Sequence, residues 1–355
     1  MSFDDQHFAL EVGPKQHPSL RRTTSVYRII DFFSAAQLIG HGNLFVPLAT
    51  RLSDANEGID QSLMIQARDV EPCASTASYF RSKQDFIAHQ ELKKGFNYIS
   101  CWTQQRESVA MWELYSGDHC SVQVATTIEL LSGAFGALAR NEYNPLELSF
   151  SNSEQRSTVI SVDIIPVSYM SLINVGRRID RRRRAYDKLE RLGKIKSPMS
   201  ISEWSSRDRE RFHQYHFAPF TLKDESFSHE QEVRAVLQMA AIDRQVLDEI
   251  KVALAAEDWS LAVNDVALKN AKTYYARSIA QEQSRKRGLV LPQSIELSTP
   301  NGFVSSAAID PRCPPHKRAF MEEFLKAHNV PIIESTCFGH AVNHIPIIPR
   351  AKLLQ

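Results

Sequence analysis

Glu230 and Glu232 stand two residues apart in Phe227-Ser228-His229-Glu230-Gln231-Glu232-Val233-Arg234-Ala235-Val236-Leu237, just ahead of an apolar run. If the stretch is a strand, side chains at i and i+2 share a face and both carboxylates enter the same space. Two acids so placed repel each other and lose hydration, which is the arrangement of general acid–base and cation-stabilising sites. The other reading is a solvated strand face, with Arg234 as the partner at i+4.

Other side chains invite the same double reading. Trp102, Trp112 and Tyr115 fall within fourteen residues, with Trp112 and Tyr115 at i, i+3 of a short helix. They read as core aromatics or as a stacking wall for a flat ring, with Ser100 and Thr103 as hydrogen-bonding neighbours. Cys101, between Ser100 and Trp102, reads as a core residue more readily than as a nucleophile. His213/His216 and His340/His344 have helical spacing, but no acid or cysteine at fitting spacing accompanies them for a metal. No nucleotide glycine motif, GxSxG or HExxH occurs.

The elements that must hold these residues follow from periodicity. Ser25–Ile30 reads as a strand, followed by a helix over 32–39 capped by Asp31 and ended by Gly40. Asn43–Pro47, Phe96–Thr103 and Cys120–Thr126 read as further strands. Helices are expected over 76–93, 108–115 and 127–138, and a strand over Thr158–Val167 with Val159, Ser161, Asp163 and Ile165 on one face. A helical region over 243–287, a strand and turn over Glu296–Ile309, a helix over Pro314–Asn329 and a last strand at Val330–Thr336 complete the chain. Strands alternate irregularly with helices, which favours α+β over a doubly wound sheet.

Composition narrows the class. With 43% hydrophobic and 23% charged residues, the 355-residue chain is globular. Residues 1–24 read as a polar lead-in to a single elaborated domain over 25–355. Five unclustered cysteines fit reduced thiols. Neither a signal peptide nor a membrane span is expected, so the sequence points to a cytoplasmic protein. The net charge of +1 conceals a segment, Gly176 to Lys196, with ten Arg or Lys against three acids. Arg177, Arg178, Arg181, Arg182, Arg183, Arg184 and Lys188 would form either a solvated helix or a contact for an anionic partner, nucleic acid being the commonest.

Taken in order, Tyr27-Arg28, Leu44…Asp54…Glu57-Gly58, Ser100-Cys101-Trp102, Met111-Trp112-Glu113-Leu114-Tyr115 and Glu230-Gln231-Glu232-Val233-Arg234 resemble the domain-of-unknown-function family 2971. Asp54-Ala55-Asn56 departs from that family's aspartate-proline. On this alignment 172–215 (basic) and 245–290 (helical) look like insertions. The order of motifs is in turn similar to ADP-ribosyltransferases. That resemblance implies a split, bent β-sheet core with helical insertions and NAD as substrate. It would make Glu232 the catalytic carboxylate and Glu230 the residue acting on the acceptor. Arg28 and Tyr27 would lie at the cofactor, Ser100, Trp102 and Thr103 at the middle motif, and Trp112 and Tyr115 beside the nicotinamide. It further implies a bacterial toxin or phage-defence setting, a nucleic-acid acceptor, and an antitoxin or regulatory partner. Two alternatives stand beside it. One is a non-catalytic nucleic-acid-binding or sensor protein with the same fold. The other is a metal-dependent nuclease or phosphotransferase, for which Asp54 and Glu57 are the additional acids.

Overall fold

A computed structural model describes residues 14–52, 54, 91, 94–141, 155–174, 177, 184, 188, 191–192, 220–257 and 265–339. Chain order is β1 (Lys15–Gln16), β2 (Ser25–Asp31), α1 (Phe32–His41), β3 (Asn43–Pro47), β4 (Asn97–Thr103), α2 (Val109–Tyr115), β5 (Ser121–Thr127) and α3 (Ile128–Asn141). Then come β6 (Gln155–Pro166), β7 (Ser168–Tyr169), β8 (Leu222–Lys223), β9 (Glu232–Asp243), α4 (Arg244–Ala256) and α5 (Asp265–Lys286). The described chain ends with β10 (Ser294–Ser298), β11 (Ser306–Ile309) and α6 (Pro315–Ala327). The fold is α+β. A seven-stranded sheet, ordered β1-β6-β9-β4-β2-β5-β11, is antiparallel except where β1 joins β6.

One junction of this sheet is weak. β4 and β9 share seven residue pairs, as do β2 and β5, but β2 meets β4 at the single pair Tyr27↔Thr103. With no further ladder bonds to hold them, the two strands part, and the sheet divides into a β1-β6-β9-β4 half and a β2-β5-β11 half.

The faces follow from alternation along the strands. Val26, Tyr98, Trp102, Val122, Val124, Val233, Ala235 and Leu237 turn into the main core, where Ala35 and Leu38 of α1, Leu131 and Phe135 of α3, and Met321 and Leu325 of α6 cover them. On the opposite face Ile99, Ile165, Phe220 and Val236 form a smaller cluster. α4 and α5 close the far end of β9 by packing on Ala240 and Ile242.

Several local expectations are corrected. α1 runs through Gly40 and closes at Gly42, whose φ of 70° suits glycine and lets its N–H bond to Gln37 and Leu38 carbonyls. A bulge between Val159 and Ser161 resets β6, so Val159 joins Val162 and Ile164 in the main core instead of facing away from them. The segment expected as a final strand contributes only the bridge Ala307↔Ile332. The polar lead-in supplies an edge strand at Lys15–Gln16 and a buried Leu20. Of the helix expected over 76–93, all but Glu91 lies outside the described residues.

Candidate functional site

Glu230 is not on the strand. It ends a 3₁₀ turn, Glu225–Glu230, that Asp224 caps by accepting from the Ser226 N–H. Gln231 then takes a left-handed conformation, φ 42° and ψ 50°, before β9 begins at Glu232. The i, i+2 argument therefore describes Glu232 and Arg234, and a backbone reversal brings Glu230 back beside them. Thr103 secures that reversal by donating its hydroxyl to the Glu230 carbonyl. Gln104 N–H bonds to the Gln231 carbonyl at 3.0 Å.

Both acids are withdrawn from bulk water, Glu230 at 3% and Glu232 at 6% exposure, so the solvated-face reading does not describe them. Arg234, 1% exposed, grips Glu232 in a two-point fork, Nε to Oε1 at 2.8 Å and a terminal nitrogen to Oε2 at 2.9 Å. Its other terminal nitrogen donates to the Phe220 carbonyl at 2.9 Å. Burial pushes the Glu232 carboxyl up, but Arg234, with help from Lys223, more than offsets this and holds it below the usual carboxylate range.

Glu230 is held differently. Tyr115 Oη donates to its Oε1 at 2.8 Å, and Lys223 Nζ to its Oε2 at 2.6 Å. Lys223 Nζ also lies 3.5 Å from Glu232 Oε2, so one ammonium spans both acids. Burial pulls the Lys223 pKa down, yet Glu232 and Glu230 outweigh it and the net shift is upward. Burial and then the Glu230 charge push the Tyr115 phenol far above its ordinary value, keeping it a neutral donor. Burial likewise raises Tyr169, whose oxygen accepts the Glu232 N–H at 2.7 Å.

Glu230, Glu232, Arg234, Lys223 and Tyr115 line a cavity of about 280 Å³ at the parting of β2 and β4, together with Tyr27, Arg28, Cys101, Trp102, Thr103 and Asp54. The gap explains why residues of opposite parity meet there. Thr103 and Glu232 come from one face, whereas Arg28 and Trp102 reach the cavity from the core side. Ser100 positions that pair, its Oγ accepting from Arg28 at 3.1 Å and from Trp102 Nε1 at 2.9 Å. The Arg28 guanidinium also sits 5.9 Å from the Trp102 ring centroid. Burial lowers the Arg28 pKa, though a guanidinium keeps its charge in such a setting. Among the described residues no carboxylate pairs with Arg28, whose side-chain partner is the Ser100 hydroxyl.

The expected residues thus divide. Arg28, Tyr27, Trp102, Thr103, Tyr115, Glu230 and Glu232 come together in the cavity wall. Ser100 is fully buried behind it. Trp112 is fully buried as well, packed with Ile29, Met111 and Ala308; it belongs to the core and gives no stacking surface to this cavity. Arg177, Arg184 and Lys188 are helical and exposed, with spacings of seven and four residues that put them on one helix face. Arg178, Arg181, Arg182, Arg183 and Glu57 lie outside the described residues, as do all four paired histidines. No group of three or more His, Cys, Asp or Glu among the described residues is arranged to hold a metal ion.

Lys223 and Tyr169 carry no signal in spacing. They belong to β8 and β7, which pair in parallel at the two roots of the basic segment. Lys223 lies seven residues before Glu230, and the pairing of β7 with β8 sets Tyr169 beside it, 63 residues from Glu232 in sequence. No family model matches the chain, and the comparisons with curated proteins and with solved structures found no match either. No helix among the described residues is long and apolar enough to cross a membrane.

Proposed function

We propose that the chain is an NAD-consuming ADP-ribosyltransferase-like enzyme, with the split, bent sheet core that such enzymes have. Its acceptor would be nucleic acid, in a toxin or phage-defence setting with an antitoxin or regulatory partner. The observation that carries this reading is the cavity at the parted β2–β4 junction, where an arginine, aromatic rings and two buried carboxylates meet. A volume of about 280 Å³ suits the nicotinamide-ribose half of NAD, the half that reacts. Arg28 would grip a phosphate in a fork that lysine cannot match.

The chemistry suits the groups present. Breaking the C1′–nicotinamide bond sends its electron pair to the ring nitrogen and leaves positive charge on the ribose. Glu232, kept ionised by Arg234, retains lone pairs for a ribose hydroxyl and stabilises that charge most at the transition state. The acceptor hydroxyl bonds C1′ and gives its proton to Glu230, the acid without a guanidinium clamp. Incubating the protein with labelled NAD and RNA, DNA or cell lysate tests this. Transfer of label is expected, with Glu232→Gln slower by about 10²–10³-fold; absence of any NAD turnover would overturn the reading.

The second reading, a nucleic-acid-binding or sensor protein of the same fold, draws on one observation. Both oxygens of Glu232 are already engaged by Arg234, as in a purely structural ion pair. It expects Glu232→Gln to leave function in cells untouched.

A further inference from the structure

Resting on the transferase reading, we infer that Lys223 is a positioning residue for the reaction, an ammonium shared between the two carboxylates that keeps them at different duties. Its Nζ is 2.6 Å from Glu230 and 3.5 Å from Glu232, and its side chain is almost as buried as theirs. The Nζ also lies over the Phe227 ring, 4.3 Å from its centroid, a cation–π contact that adds to the hold on the ammonium.

Two carboxylates with one guanidinium cannot both stay ionised cheaply in such a site; a second cation removes the conflict. Lys223 therefore lets Glu232 remain charged while Glu230 stands ready as a base. When the acceptor oxygen bonds C1′ and nicotinamide leaves with the C1′–N electron pair, the acceptor proton passes to Glu230. The ammonium then turns its hydrogen bond to Glu232 Oε2, already nearby, and reinforces the one anion that faces the ribose cation. Tyr115 Oη stays on Glu230 Oε1, holding the carboxyl in place through the change.

The surrounding groups leave this duty to Lys223. Arg234 faces Glu232 from β9, Tyr169 Oη takes its backbone N–H from β7, and Cys101 on β4 hydrogen-bonds to its carboxylate. Tyr115 approaches Glu230 from α2, and Arg28 and Asp54 line the cavity beyond. Among the described residues, Lys223 is the cation with ion pairs to both side chains.

The experiment follows the Glu232 carboxyl carbon by NMR in glutamate-labelled protein, with Lys223→Met and Lys223→Arg alongside wild type. Lys223→Met should raise the Glu232 midpoint by about one pH unit or more. The acid limb of kcat/KM should rise with it, while KM for NAD holds because Arg28 is intact. Lys223→Arg should restore both profiles most of the way. A Glu232 titration unmoved by Lys223→Met overturns the inference, and this is read whether or not NAD is consumed, so the failure of the transferase reading is seen separately. If Lys223→Met does not fold, the wild-type Lys223 Nζ resonance decides: it must show a step at the Glu232 midpoint, and a flat response overturns the proposal.

Discussion

Among the described residues two buried acids, Glu232 and Asp310, pair with the arginine two positions on, and the pairs have different consequences. At the end of β11, Asp310 is fully buried and accepts from Arg312 Nε at 3.1 Å and from a terminal nitrogen at 2.9 Å. The Asp310 N–H bonds to the Ser121 carbonyl. Arg312 uses its remaining donors on Glu113 and the Trp112 carbonyl. Every contact closes on the protein, and the pair ties α2 to the end of β11. At the start of β9, Glu232 and Arg234 have the same fork. There, a further acid, a lysine and Arg28 of β2, the strand beyond β4, share a cavity. An acid–arginine fork is thus a common staple, and its surroundings decide whether it also supports chemistry.

Removing the arginines tests this contrast most severely. Arg234→Met leaves Glu232 buried without its main partner and should cost about 3–5 kcal/mol, read by urea unfolding. Arg312→Met should cost less, about 1–3 kcal/mol, because Arg312 is 19% exposed and water can replace it. Equal losses would erase the distinction. Next in size, on the proposed transferase reading, Arg28→Ala should weaken NAD binding by about tenfold or more, the worth of a charge-assisted contact, whereas Asp310→Asn should leave KM for NAD unchanged.

Acid sharpens the likeness between the pairs. Burial acts to raise Glu232 and Asp310, but arginine partners leave both below their ordinary values. A depressed folded pKa stabilises the fold above the unfolded value, about 4, and the gain is lost as pH falls through the folded value. Glu232→Gln and Asp310→Asn should both flatten the stability loss below about pH 4, measured by thermal unfolding across pH. The smallest effect concerns the basic segment. Arg177→Gln with Lys188→Gln should reduce the slope of log K against log salt for nucleic-acid binding by roughly 0.7–0.9 per residue replaced.

Periodicity was enough for the strands at 25–31, 97–103 and 121–127 and for the capped helix after Asp31, because local alternation and capping are properties of adjacent residues. It failed at Val159, where a bulge changes parity, and at Glu230, where a left-handed Gln231 replaces two strand positions by a reversal. Some residues of the cavity wall were legible as well: Trp102, Thr103, Tyr115 and both glutamates stand out by type and spacing, whereas Arg28 is indicated by the resemblance alone. The α2 pattern could not tell Tyr115 from Trp112; neighbours far away in sequence decided which entered the cavity and which entered the core.

From residue identities and short spacings alone came the α+β class, the paired acids and the basic segment. The tertiary structure alone decided the cavity, through the single β2–β4 residue pair, and the partners of the acids, through Lys223 and Tyr169 at the roots of the basic segment. The physical reason is range. Backbone preference and side-chain periodicity act over a few residues, whereas the field at a buried carboxylate is set by whichever charges the fold brings within hydrogen-bonding distance.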